Sequence, residues 1–297
     1  MSRWSRLATE SRNPRSRRLD ALSPARVVAL LLDEDRRALA AARRAAPAIA
    51  RAARAVARAL AGGGDVVLLG AGTSGRLAVL EAAECPPTFG TDPRRIRAVM
   101  AGGQAAVFRA VEGAEDRAAD GRGAARRLRA GDVLVGISAS SVTPFVRGAL
   151  EAARARGVDT VLVTCAPTRG LGALARVVVA MATGPEVLTG STRLKAGSAT
   201  KAALNAITTA AMVMEGKAYE NLMVDLRPNS AKLRDRARRI VAAAARVPAP
   251  RAARLLAQAG DVKTAIVAGR LGISPAAARA RLRAAKGRVR HALASRR

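Results

Sequence analysis

The stretch Val66–Arg76 constrains the fold of this chain more than any other part of the sequence. It reads VVLLGAGTSGR, an apolar run with two valines followed by a Gly-x-Gly turn and small hydroxyl residues. Such a run is typical of a buried strand in a parallel sheet, and Leu77–Glu84 is predicted to follow as a helix. A strand, a glycine loop and a helix start direct backbone N–H groups and the positive helix end to one spot. With the hydroxyls of Thr73 and Ser74, the loop is predicted to bind a phosphate, a tight turn without a ligand being the alternative. The dinucleotide-binding motif GxGxxG fits poorly. Gly75 has the spacing of its third glycine, three residues after Gly72, but Thr73 and Ser74 suit a phosphomonoester better than a pyrophosphate.

Strands and helices alternate along the chain, which predicts an α/β fold with a doubly wound parallel sheet. Four further runs are predicted as strands: Ile96–Ala101, Asp132–Ile137, Thr160–Thr164 and Val177–Ala180. Helices are predicted from Ser23-Pro24, over Ala38–Ala61, and from the segment 186–201 to about Glu215. Beyond Asn229 only helices are expected, with breaks at Pro248, Pro250, Gly260 and Gly272.

A second hydroxyl-rich loop follows the third predicted strand. Residues 138–144 read SASSVTP and precede another predicted helix. Because the carboxyl ends of parallel strands meet at one edge, the two loops are expected to converge on one crevice. Their recurrence strengthens the prediction of a phosphate site.

Two acidic features are candidates for chemistry. Pro86 is predicted to end the helix at about Glu84, and a carboxyl group at a helix C-terminus favours its protonated form, as a general acid requires. A Glu84 paired with one of the many arginines is the alternative. The run Glu112–Asp116 is acidic within a basic chain, and the residues by themselves favour a structural explanation, a cluster stabilised by the dipole of a helix N-terminus.

Composition limits the other classes of function. The formal charge is +30 among 297 residues, but the arginines are spread along the helices and aromatics make up 2%. A dedicated nucleic-acid partner is therefore not expected, because few rings are present for base stacking. No apolar run reaches membrane-spanning length, so no membrane partner is expected. Two distant cysteines and the single His291 offer no metal-ligand spacing, which favours a reducing cytoplasm and chemistry without a metal or cofactor.

Four blocks of sequence resemble the N-acetylmuramic acid 6-phosphate etherases, which have the sugar isomerase (SIS) fold and are related to the glucokinase regulatory protein. The blocks are TESRNP from Thr9, GAGTSGR to ECPPT over Gly70–Thr88, EGAED from Glu112, and TGSTRLKAG from Thr189. The segments 221–225 and 263–267 also fit. The resemblance covers nearly the whole chain and implies N-terminal arm and helices over residues 1–50, a SIS domain over 51–220, and a C-terminal helical domain over 229–297.

The resemblance implies removal of the D-lactyl ether of N-acetylmuramic acid 6-phosphate by elimination and then hydration, without a cofactor. It assigns the proton transfers to Glu84 and Glu115. Residues implied to contact the sugar phosphate are Thr73, Ser74, Gly75, Ser138, Ser140, Thr143 and, less directly, Lys195. It also implies a homodimer in which the subunits complete each other's sites, and the use of cysteine described above predicts a cytoplasmic location.

The chain departs from the family pattern in the second loop, where Ser141 and Val142 stand in place of Gly and Arg. The loss of glycine costs backbone freedom, and the loss of arginine removes a charged contact near the substrate. Leu194 in place of Met and Leu32 in place of Asn are milder departures. The altered loop supports an alternative function, a sugar-phosphate sensor without catalysis. A nucleic-acid-binding tail is a third hypothesis, because residues 271–275 and the following Arg-rich helix imitate a helix-turn-helix.

Overall fold

The computed structural model describes residues 7–166, 170–226, 228 and 230–294. Residues 1–6 of the predicted arm and Asn229 lie outside this range. The described chain forms two compact units, the first from residues up to Ala83 together with Pro93–Ala210, and the second from Glu84–Asp92 together with residues from Ala211 onward.

The first unit is built on a parallel sheet of five described strands in the order β2-β1-β3-β4-β5. The strands are β1 (Val66–Gly70), β2 (Ile96–Met100), β3 (Val133–Ile137), β4 (Asp159–Thr164) and β5 (Val177–Ala180). All five coincide with the predicted strands, which confirms the α/β class. β1 and β3 are adjacent, with Gly70 opposite Ile137, so the loops that follow them leave the sheet side by side. The strand order reverses at this point, which is where α/β sheets form their ligand crevices.

Helices cover both faces of this sheet. On one face, α5 (Ala118–Ala124) and α6 (Pro144–Ala155) contribute to a core with Val67, Leu69 and Leu134. Alternate residues of a strand point to opposite faces. α2 (Ala46–Ala61) contacts β1, β3 and β5 but contributes none of the described residues of that core, so it covers the other face. The remaining helices that begin in this unit are α1 (Pro24–Arg44), α3 (Gly72–Phe89), α4 (Ala105–Phe108) and α7 (Lys195–Met214).

Several predicted helix boundaries were wrong, among them the break before α2 and the end of α3. α1 runs through the acidic residues 33–35 as far as Arg44, and the break falls at Ala45 because Pro47 supplies no N–H for a continuous helix. α3 (Gly72–Phe89) does not end at Glu84 but passes through Pro86 and Pro87. The proline φ angle is compatible with a helix, and a hydrogen bond from the Gly90 N–H to the Pro86 carbonyl, at 2.9 Å, closes the last turn.

The second unit is helical apart from a short antiparallel hairpin of β6 (Ala218–Tyr219) and β7 (Leu222–Met223). Its helices are α8 (Ala231–Ala245), α9 (Ala249–Ala259), α10 (Val262–Leu271), α11 (Pro275–Ala284) and α12 (Val289–Ala294). The predicted breaks at Gly260 and Gly272 are confirmed, since both glycines end helices in the left-handed conformation. Pro248 immediately precedes α9, whereas Pro250 lies within its first turn. Among the described helices, none is both long and apolar enough to span a membrane.

Candidate functional site

The first loop is a tight connection that only glycines permit. A Cβ atom on Gly75 would lie 2.7 Å from the Gly70 carbonyl oxygen, and Gly72 has a φ of +53°. α3 begins at Gly72, five residues earlier than the Leu77 predicted from the sequence. Thr73 and Ser74 therefore lie in the first turn of a long helix, where backbone N–H groups have no partner within the helix. The local structure offers hydroxyls, N–H groups and a positive dipole together.

The second loop is closed by its own hydroxyl groups. The Oγ of Ser138 and the Oγ1 of Thr143 are 2.8 Å apart, and Ser138 is buried at the end of β3. The Ser141 N–H donates to the Ser138 carbonyl at 3.2 Å, which folds the loop back toward the sheet. Thr143 immediately precedes α6, so this loop also ends at a helix N-terminus.

The backbone at Ser141 has the strained conformation expected where serine stands in place of glycine. Its φ is +61°, a left-handed conformation that residues with a Cβ seldom adopt. The side chain is fully buried, and none of the residues that the structure describes offers its hydroxyl a hydrogen-bond partner. Strain and an unsatisfied hydroxyl therefore coincide at one position beside the candidate site.

A cavity of about 570 Å³ brings together hydroxyls of both loops and one of the predicted glutamates. Ser74 comes from the first loop, Ser140 and Thr143 from the second, and Glu115 from the turn Ala114–Asp116. The other residues that line it are Leu7, Thr9, Glu10, Ala71, Asp116, Ala139, Val142, Gly190 and Thr192. The expected convergence of the two loops is thus observed.

The described lining of this cavity contains carboxylates but no lysine or arginine. The carboxylates belong to Glu10, Glu115 and Asp116. Val142, the residue in place of the family arginine, lines the wall without a charge. Attraction for an anion must therefore come from hydroxyls, N–H groups and the N-termini of α3 and α6.

Two close backbone contacts join α5, which follows Glu115, to α6, which follows Thr143. A Cβ on Gly121 would lie 1.9 Å from the Phe145 carbonyl oxygen, and a Cβ on Gly148 would lie 2.1 Å from the Ala118 carbonyl oxygen. α5, which follows Glu115, therefore contacts α6, which follows Thr143, backbone to backbone. Because Glu115 precedes α5 and Thr143 precedes α6, we expect this contact to influence the spacing between the carboxylate and the second loop.

Arg76 supports the segment that leads to Glu115. Its Nε donates to the Val107 carbonyl at 2.9 Å and its Nη2 to the Ala106 carbonyl at 2.8 Å. Arg76 and Glu115 also line a smaller hollow of about 150 Å³, which shares Ala71 and Glu115 with the main cavity. Arg76, the last residue of the first sequence motif, therefore stabilises the structure of this segment.

Glu84 is exposed on α3, in the stretch Glu84–Asp92 that belongs to the second unit. Because α3 continues to Phe89, Glu84 is not at the helix end. The effect of the helix dipole falls off within the last turn, so the predicted influence of a helix C-terminus on Glu84 was wrong.

Glu81, one turn earlier, was missed by the sequence analysis. It is 6% exposed and accepts hydrogen bonds from the Thr208 hydroxyl and, at 2.5 Å, from the Asn205 side chain. Its spacing from the buried residues Ala78 and Cys85 follows the period of a helix, and this signal places Glu81 on the buried face.

Lys195 lies apart from the described lining of the cavity. Its ammonium group is paired with the carboxylate of Glu34, and the two residues are 3% and 1% exposed. Burial raises the pKa of Glu34, but hydrogen bonds from Lys195, Arg15 and Asn13 outweigh it and lower the pKa to about 2. Glu186 accepts from the backbone N–H groups of Lys195 and Ala196 and so caps α7. The predicted role of Lys195 beside the substrate stays a prediction.

A metal site needs several ligand side chains close together. The described residues contain no group of three or more His, Cys, Asp or Glu side chains that could hold a metal ion. Both cysteines are buried, and burial raises the pKa of Cys165 to about 11. Cys165 is therefore a structural residue rather than a nucleophile.

Known proteins match the chain over nearly its full length. An N-acetylmuramic acid 6-phosphate etherase of Synechococcus elongatus is 48% identical over 97% of this chain and 94% of that protein. The etherase of Rubrobacter xylanophilus is 48% identical over 98% of this chain and 97% of that protein. The etherase of Salmonella agona is 45% identical over 97% of this chain and 98% of that protein. The chain belongs to the N-acetylmuramic acid 6-phosphate etherase family.

Two further matches concern the fold. The family model for the glucokinase regulatory protein N-terminal SIS domain matches residues 48–154, which include both loops and Glu115. A solved phosphoheptose isomerase of Neisseria gonorrhoeae is 21% identical, with a TM-score of 0.47, over 64% of this chain and 97% of that one. The resemblance to the etherase family, inferred from four blocks of sequence, is confirmed.

Proposed function

We propose that this protein cleaves the D-lactyl ether of N-acetylmuramic acid 6-phosphate with water, giving N-acetylglucosamine 6-phosphate and D-lactate. The observation that carries the proposal is the single cavity lined by Ser74, Ser140, Thr143 and Glu115 in a chain of the etherase family. Three hydroxyls suit a phosphate, and a carboxylate in the same cavity suits proton transfer.

The phosphate is held by the two loops. Ser74, Ser140 and Thr143 donate hydroxyl hydrogens, and the helix starts beside Thr73 and Gly75 add N–H groups and dipoles. Ser138 orients Thr143 through their hydrogen bond. Since no described cation lines the cavity, binding depends on this preorganised set of donors.

The chemistry takes two steps. In the open-chain aldehyde, a base removes the C2 proton, the C2–C3 double bond forms, and the C3–O bond breaks as lactate leaves with a proton from an acid. Water then adds, its oxygen to C3 and a proton to C2. We assign these proton transfers to Glu84 and Glu115, and no metal or cofactor enters the reaction.

Release of D-lactate from N-acetylmuramic acid 6-phosphate tests the proposal. Glu84→Gln and Glu115→Gln keep the size of each side chain and remove its proton-transfer capacity, so each is expected to lower kcat at least 100-fold. Near-normal turnover in either variant would remove that residue from the mechanism. Wild-type protein that binds the sugar phosphate but releases no lactate would instead favour the alternative function of a sensor, to which the strained Ser141 loop points.

We further propose that the protein is a cytoplasmic homodimer without a dedicated nucleic-acid or membrane partner. An exposed apolar stripe on α1, formed by Val28, Leu32 and Leu39, supports association with a second copy. Sedimentation of the wild type and of a Leu32→Lys variant tests the dimer. A DNA-shift assay over a range of salt concentrations tests the absence of a specific nucleic-acid partner, since purely electrostatic binding weakens steadily with salt.

A further inference from the structure

Glu10 lines the cavity from a segment that precedes the first helix. This N-terminal arm, residues 7–16, contains short 3-10 turns at Ala8–Glu10 and Pro14–Ser16. Thr9 and Asn13 are buried, whereas Glu10 is exposed and faces the cavity together with Ser74 and Glu115. The arm therefore forms one wall of the cavity.

The carboxylate of Glu10 is oriented by its neighbours. The Thr9 hydroxyl donates to Glu10 Oε1 at 3.2 Å, and the Gly190 N–H donates to the Thr9 carbonyl at 3.1 Å. Gly190 has a φ of +79°, and a Cβ there would lie 3.2 Å from Glu10 Oε2. The absence of a side chain at residue 190 thus leaves room for this carboxylate.

The arm is fixed to the interior by a buried polar cluster. The Asn13 amide donates to Glu34 Oε2 and to the Pro185 carbonyl, each at 3.1 Å. Arg15 donates to Glu34 Oε1 at 2.7 Å, and Lys195 neutralises the same carboxylate. A wall held in this way presents Glu10 in a defined position, which a binding site requires.

A carboxylate at this position favours binding of uncharged groups that donate hydrogen bonds. It repels a phosphate and a lactyl carboxylate, and it accepts hydrogen bonds from hydroxyl and amide N–H groups. We propose that Glu10 binds the sugar portion of the substrate, accepting a hydrogen bond from one of its O–H or N–H groups, and does not exchange protons with it. This inference rests on the proposed function.

Loss of such a bond weakens binding more than it slows the chemistry. Glu10→Ala removes a hydrogen bond to a charged group, so we expect KM to rise by about 10- to 100-fold. The kcat value should stay within about threefold of the wild type. Glu10→Gln keeps an acceptor without the charge, and an increase in KM of roughly 3- to 10-fold is expected.

Gly190→Ala crowds the carboxylate and is expected to raise KM while leaving Glu10 intact. Glu151→Ala is the matched control and keeps both constants, because Glu151 is a partly exposed carboxylate that pairs with Arg147 and is not among the described residues that line the cavity.

The experiment measures lactate release, its pH profile, and calorimetric binding of N-acetylglucosamine 6-phosphate for each variant, with folding checked by circular dichroism. Support requires a raised KM, a weaker product affinity and an unchanged pH profile of kcat in Glu10→Ala and Glu10→Gln. Constants within twofold of the wild type would overturn the inference, and so would a shifted pH profile, because it would show proton transfer by Glu10.

Calorimetry separates this inference from the proposed function. If the wild type binds N-acetylglucosamine 6-phosphate without releasing lactate from the substrate, the proposed function fails, and the change in product affinity still decides the role of Glu10. If the wild type binds no sugar phosphate, both fail.

Discussion

The ammonium group of Lys195 and the carboxylate of Glu34 form an ion pair in the interior of the first unit, across 161 residues of sequence. Both side chains are almost completely shielded from solvent. The pair joins the start of α7 to α1, and Asn13 and Arg15 attach the N-terminal arm to the same carboxylate. One buried carboxylate therefore fixes three separate segments.

Removal of Glu34 is expected to destabilise the protein strongly. Glu34→Ala leaves the Lys195 charge buried without its partner, a change that typically costs about 3–5 kcal/mol. The free energy of unfolding from urea titration measures it. The control is Asp33→Ala, since Asp33 is half exposed in its pairs with Arg15 and Arg36 and should contribute less than about 1 kcal/mol. Equal effects of the two substitutions would contradict the structural role of Glu34.

The stability of the protein should fall in acid because of Glu34. Its folded-state pKa is about 2, below the ordinary value of 4.5. Its contribution, on the order of 3 kcal/mol, is therefore complete above about pH 4.5 and is lost as the pH falls toward 2. Burial raises the pKa of Glu186, so protonation of that group offsets part of the loss. Urea midpoints at pH 7, 5, 4 and 3 test this, and Glu34→Gln should show a flatter profile than the wild type. An identical profile would assign the acid sensitivity to other groups.

The sheet could be predicted from the sequence, whereas the buried polar cluster around Glu34 could not. The strands were recognisable because each is a short apolar run bounded by glycine or polar residues, and the phosphate loops follow directly from such runs. Helix ends were less predictable, since Pro86 is tolerated inside α3 and the break at Ala45 has only Pro47 as a local signal. Glu34 and Lys195 meet only through the tertiary fold, so no local pattern could connect them. The position of Glu10 in the cavity wall depends on the same long-range contacts.

Substitution of Ser141 by glycine should stabilise the protein. The change relieves a φ of +61° and removes a buried hydroxyl that has no partner among the described residues. The expected gain is about 1–2 kcal/mol after the greater flexibility of glycine in the unfolded chain is counted. Ser141→Ala removes the hydroxyl but keeps the strain, so its stability should fall between those of wild type and glycine variant. Thermal and urea unfolding distinguish the three proteins. A glycine variant less stable than the wild type would show that the serine side chain makes a favourable contact.

Ser74 should contribute to affinity for the phosphate. Ser74→Ala removes a donor from the first turn of α3 and is expected to raise KM for the phosphorylated sugar by about tenfold. The control is a change of ligand, since the affinity for unphosphorylated N-acetylmuramic acid should not change. Competition experiments with both sugars measure the ratio of affinities. An unaltered ratio would contradict the assignment of the first loop to the phosphate.

The backbone contact between α5 and α6 should be the least tolerant feature around the cavity. A Cβ at residue 148 would lie 2.1 Å from the Ala118 carbonyl oxygen, so Gly148→Ala must separate the helices and displace Glu115 relative to Thr143. Overpacking of this kind costs about 1–3 kcal/mol, and we expect kcat to fall as well. Gly123 provides the control within α5, because a Cβ there meets no atom of the described residues within 4 Å apart from its chain neighbours and its own helix backbone. Gly123→Ala should be neutral or stabilise by up to about 1 kcal/mol through helix propensity. Unfolding free energies and lactate release for the two variants test the contact. Full activity in Gly148→Ala, despite lost stability, would show that the spacing of the helices does not control the position of Glu115.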